Sequence, residues 1–154
     1  MRIHPPQRTS DESGFTLIEL LVVVLIIGVL AAIAIAALLG QSSKAYDASA
    51  KSTASSAQTA AETIGVDNDD SYSKVSEKEI HAYEPNIPIS EATANGGPWL
   101  QKAEGVEEGH GYKIYVVAAS TQDVFEIHRN KEGEVARSCT EAKAEDHGCP
   151  KGTW

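Results

Sequence analysis

The sequence predicts an α+β protein: a long N-terminal helix, membrane-spanning in its first half, packed against a small antiparallel β-sheet. Three observations carry this expectation. Leu20–Leu39 is an unbroken apolar run, small residues recur at helical spacing beyond it, and residues 112–139 alternate as strands do. A length of 154 residues suits one domain-sized core rather than two. Thirteen Lys and Arg against twenty-two Asp and Glu give a net charge of −9, far from the basic footprint of a nucleic-acid-binding domain, so no direct nucleic-acid partner is expected. Two cysteines exclude a disulfide-dense miniprotein and a four-cysteine zinc module.

The chain opens with fourteen polar residues, MRIHPPQRTSDESG, ending in Gly14. Phe15-Thr16-Leu17-Ile18-Glu19 follows, and then Leu20–Leu39, twenty residues without a charged or strongly polar side chain. As a helix this run spans about 30 Å, the hydrocarbon thickness of a bilayer. A soluble core helix of that length would show a polar stripe, and none is present. A secretory signal peptide would have a shorter apolar stretch, closed promptly by a small-residue cleavage site. A plain signal anchor leaves Glu19 unexplained, because a carboxylate at membrane depth is costly unless paired or protonated. Charge does not fix the topology: Arg2 and Arg8 precede the run, and Lys44 and Lys51 follow it.

The stretch from Gly14 through Phe15-Thr16-Leu17-Ile18-Glu19 to Ala34 resembles the start of a type IV pilin precursor of the a-subclass, within the pilin and pseudopilin superfamily. The resemblance covers about the first 40 residues and weakens beyond them. It implies that a prepilin peptidase cuts between Gly14 and Phe15 and methylates the new amino group of Phe15. It also implies a cytoplasmic N-terminus, storage in the cell membrane and assembly into an extracellular filament. The residues themselves are compatible with this. Gly14 lets an extended backbone enter a protease cleft, although a turn glycine before a helix is the plainer alternative. Cleavage would place an α-amino cation four residues from Glu19, within reach on the same chain or a neighbouring one, and an opposite charge favours an ionised carboxylate. That pairing would set the axial register of assembly; a Glu19 reaching to the membrane interface is the alternative. Many pilins carry a kinking proline where Ala36 stands, so a straighter helix is expected there.

Residues 40–65 continue without proline, and Ala50, Ala54, Ala57, Ala61 and Ile64 form a narrow stripe that lets another layer approach the backbone. One helix from Phe15 to about Ile64 would be a rod of about 75 Å, with Gly65 the first stop; two helices broken near Gly40-Gln41-Ser42-Ser43 are the alternative. The expected organisation is a leader at 1–14, a membrane or filament-core helix at 15–39, its continuation under the sheet at 40–65, and a head at 66–154. The head begins with a loop-rich connection in which Ser76 and Glu79 read as a capping box for a short helix within Val75–Tyr83. Asp67–Ser71 fails the EF-hand template, since Tyr72 replaces the required glycine. Tyr112–Ser120, Asp123–Arg129 and Glu134–Cys139 read as a three-stranded meander, with Ile114, Val116, Phe125, Ile127 and Val135 facing the helix. Gln101–Glu108 is a weaker fourth strand.

Cys139 and Cys149 enclose an eleven-residue loop. A metal site with His147 lacks ligands for closed zinc coordination, two free thiols are a further alternative, and a disulfide is favoured. A disulfide would place this half outside the cytoplasm. The other histidines, 81, 110 and 128, are scattered, with His128 expected as an exposed strand residue. No G-x-S-x-G, H-E-x-x-H, P-loop or dinucleotide fingerprint occurs. The expectation is therefore a non-enzymatic protein without cofactor or metal. Its expected partners are its own copies, the peptidase, the pilus assembly machinery and the lipid bilayer. A secretion or DNA-uptake pseudopilin and a membrane-anchored extracellular binding domain are the competing readings.

Overall fold

The computed structural model describes residues 14–142 and 148–154. The chain divides into two compact units, one reaching Leu38 and the other comprising Leu39–Trp154. Helix α1 runs Leu17–Asp67, so the backbone is helical through 40–43. In the first unit, Leu17–Ile35 has a mean hydropathy of 3.1 and is 0% buried. Fourteen large apolar side chains lie exposed there, from Leu17 to Ile35. At about 1.5 kcal/mol each, the burial they have yet to gain is on the order of 20 kcal/mol, against a typical net domain stability of about 5–15 kcal/mol. Such a surface suits lipid or other helices around it.

In the second unit, α1 lies on one face of a four-stranded antiparallel sheet of order β1-β2-β3-β4, made of Trp99–Val106, Gly111–Val117, Val124–Arg129 and Val135–Thr140. Ala50, Ala54, Ala57, Ala61 and Ile64 are fully buried in one core with Leu100, Tyr112, Ile114, Val116, Phe125 and Ile127. The stripe of methyl groups is what brings the helix axis close to the sheet. Short helix α2 (Glu77–Tyr83) starts at Ser76, whose hydroxyl accepts from the Glu79 N–H, and contributes buried Ile80.

Four details differ from the sequence reading. The fourth strand is real and begins at Trp99; a register shift between Leu100 and Lys102 breaks its alternation. Gly65 does not stop α1. A Cβ there would lie 2.5 Å from the Tyr72 ring, so glycine makes room for that ring. The helix ends instead where Asp69 and Asp70 take φ of +55° and +60°, with the Asp70 N–H donating to the Gly65 carbonyl. Val135 pairs with Arg129 at the end of the edge strand and is exposed, whereas Cys139 on the same face is buried beside Phe125. His128 is half-buried rather than exposed.

Both outer strands have their margins occupied. On β1, the Leu100 N–H donates to the Pro88 carbonyl, the Ala103 N–H to the Glu77 carboxylate, and Ser76 bridges to Glu104. On β4, Thr153 bridges to Ser138, and the Trp154 indole N–H donates to the Ser138 carbonyl at 2.9 Å.

Overpacking the seam tests how close this approach is. We expect Ala57→Leu to lower stability by about 1–3 kcal/mol in chemical denaturation, while Val135→Ala changes it by less than about 0.5 kcal/mol.

Candidate functional site

Gly14, Phe15 and Glu19 sit together at the start of α1. A Cβ on Gly14 would meet nothing within 4 Å among the described residues, so no packing there demands glycine. Phe15 is 80% exposed. Thr16 caps the helix: its hydroxyl accepts from the Glu19 N–H at 3.2 Å and its carbonyl from the Leu20 N–H at 3.2 Å. Glu19 thus occupies the first turn, where the helix dipole favours a carboxylate. Among the described residues, no hydrogen bond or ion pair reaches the Glu19 carboxylate. Thr16-Leu17-Ile18-Glu19 is a capping-box spacing, a signal present in the sequence that the reading above did not use.

In the head, Cys139 and Cys149 form a disulfide with a Cα–Cα distance of 5.7 Å, and both are buried. His147 lies outside the described residues. The Trp154 ring packs edge-on against Phe125 beside the bridge, centroids 5.9 Å apart. Among the described residues, no group of three His, Cys, Asp or Glu side chains could hold a metal ion. His81 Nδ1 lies 2.7 Å from the Ile87 carbonyl.

A polar cluster under the sheet escaped the sequence reading. The Glu62 carboxylate accepts from the Tyr72 and Tyr112 hydroxyls, each at 2.7 Å, and Arg129 Nε lies 3.5 Å from it. The Arg129 guanidinium also stacks over the Tyr72 ring at 4.7 Å. Burial first, and then the bond to Glu62, push Tyr72 up to about 12 and Tyr112 higher still. The available signal was faint: one acid adjoining the alanine stripe, and one arginine continuing the alternation of Phe125 and Ile127.

Against this geometry, the class of protein is an α+β head carried on an N-terminal apolar helix of membrane-spanning length. Residues 9–35 match the family described as the prokaryotic N-terminal methylation motif, a segment that contains Gly14, Phe15 and Glu19. The chain therefore carries the leader motif of a type IV pilin-like or pseudopilin precursor, followed by a helix long and apolar enough to cross a membrane. No curated protein and no solved structure matches the chain.

The tyrosine shifts fix the sign of an alkaline effect. A folded-state value raised above the unfolded value of about 10 contributes stability that is complete below pH 10 and is lost as pH climbs through 12. We expect unfolding free energy to fall over that window. Glu62→Gln should shrink the fall without abolishing it, because burial persists; tyrosinate absorbance during denaturant titrations measures both.

Proposed function

We propose that the chain is a structural subunit of a type IV pilus. On this reading a prepilin peptidase hydrolyses the Gly14–Phe15 peptide bond and methylates the Phe15 amine. The mature chain waits in the cell membrane, N-terminus cytoplasmic, and is then drawn into an extracellular filament. Residues 15–39 serve first as lipid anchor and then as filament core, 40–65 carry the helix beneath the sheet, and 66–154 form the head.

The observation that carries this reading is an exposed apolar helix with one carboxylate in its first turn, immediately after a glycine that no internal packing requires. In a simple anchor the helix dipole favours that carboxylate, yet nothing there supplies it with a counter-charge. An assembling helix does. In an apolar surround, the Phe15 ammonium of a neighbouring copy offsets part of the desolvation cost of Glu19, and only one axial offset between helices brings the two charges together. Contacts with other helices replace lipid contacts along the rest of the segment. The disulfide adds consistency, since it belongs to an oxidising space.

Electron microscopy of sheared surface filaments with peptide sequencing is the direct test: the chain should run throughout them, and filaments lacking it would overturn the proposal. Intact mass should show a subunit beginning at methylated Phe15; a filament subunit retaining Met1 would contradict processing. Glu19→Ala should leave the chain in the membrane fraction and abolish filaments. Filaments of normal length from that variant would eliminate register pairing.

A further inference from the structure

Among the described residues of the disulfide loop, Gly148 is the one hydrogen-bonded to α1. Asp47 is fully buried, and both its carboxylate oxygens are engaged: Oδ1 accepts from the Thr121 hydroxyl at 2.5 Å and Oδ2 from the Gly148 N–H at 2.7 Å. One turn further on, Lys51 Nζ donates to the Gly148 carbonyl at 2.5 Å, and it lies 5.4 and 5.9 Å from the Phe125 and Trp154 ring centroids. The N–H and C=O of one residue are therefore held by an acid and a base from the same helical face. Only glycine fits, because a Cβ at position 148 would lie 2.6 Å from Asp47 Cβ and 2.8 Å from Oδ2. The next residue is Cys149, bonded to Cys139 on β4.

We propose that Asp47 and Lys51 form a redox-responsive latch, closed on Gly148 when Cys139 and Cys149 are oxidised and released when they are reduced. Release needs a dithiol reductant. One of its thiolates attacks a cysteine sulfur, the S–S bond breaks, both cysteines finish as protonated thiols, and the reductant leaves as its own disulfide. Without the bridge, the chain after Gly148 is tied to β4 through Thr153 and Trp154, five and six residues further on, and Gly148 gains the slack to leave the helix turn. A buried carboxylate oxygen that loses its N–H donor is strongly unfavourable, so water must enter around Asp47. The opening reaches the neighbouring turn as well, because Thr121, the other donor to Asp47, also accepts from the Asp123 N–H at 3.4 Å. The redox state of the Cys139–Cys149 bond is thus read by a helix turn 101 residues before Gly148. The latch goes beyond the filament reading and does not depend on it. If that reading holds, the helix-to-loop seam closes fully only after export.

Amide hydrogen exchange, followed by NMR on the full chain in detergent micelles, tests the latch. Reduction by a dithiol should accelerate exchange at Gly148 by about tenfold or more, while the Ile114 and Phe125 strand amides change by less than about twofold. Oxidised Asp47→Asn should show the same acceleration, and reducing that variant should add nothing further, because coupled parts of one device are not additive. Should Asp47→Asn fail to fold, Lys51→Met takes its place in the cycle. Unchanged Gly148 protection on reduction would overturn the latch. So would strand amides opening to the same extent, or additive effects of reduction and substitution.

Discussion

The apolar surface of Leu17–Ile35 has no counterpart among the described residues of its own chain, and that constraint shapes the rest of the protein. A head joined to such a helix must complete its own core without using that surface. It does so with the part of α1 that follows, by facing alanines toward a sheet. The charges obey the same economy. Asp47, Lys51 and Glu62, the charged residues of α1 between Ala45 and Val66, all turn toward the sheet or the C-terminal loop, and every exposed residue of that stretch is uncharged. Ser55, Thr59 and Thr63 donate their hydroxyls back to carbonyls four residues earlier, so even the polar groups of that face are satisfied by the helix itself.

Directional contacts then fix where the sheet sits on the helix. Methyl groups alone would let the two layers slide, since alanine surfaces offer little relief. Glu62 gathers two tyrosines and an arginine from the connection and the sheet at one end of the seam, and Asp47 with Lys51 gathers the 118–123 turn and Gly148 at the other. Buried polar groups of this kind specify an arrangement more than they add stability, because each must find its partner or bear the cost of dehydration.

Much of this was legible in the sequence, for identifiable reasons. Leu20–Leu39 is long and uniformly apolar enough to read as a membrane-spanning helix, and the alanine spacing announces a close seam. Ser76 and Glu79 marked α2 correctly because a capping interaction is local. The N-terminal methylation motif was readable for the same reason: its residues are contiguous. The misses are all tertiary. Strand β1 was obscured by the register shift after Leu100 and by outward-facing Lys102 and Glu104. Gly65 looked like a helix stop, yet its reason is a tyrosine ring that arrives from outside the helix. Val135 has the right facing and the wrong position, since alternation says which side a residue is on and not how far the cover extends. The partners of Glu62 and Asp47 lie up to 101 residues away, beyond any local pattern.

The occupied margins of β1 and β4 have a consequence for behaviour at high concentration. Copies tethered side by side bring their heads to millimolar crowding or more, where bare strand borders would recruit one another into cross-strand ladders. Here a proline carbonyl, a glutamate and a terminal tryptophan already engage main-chain groups along those borders. Edge-to-edge strand pairing between heads is thus disfavoured along those borders.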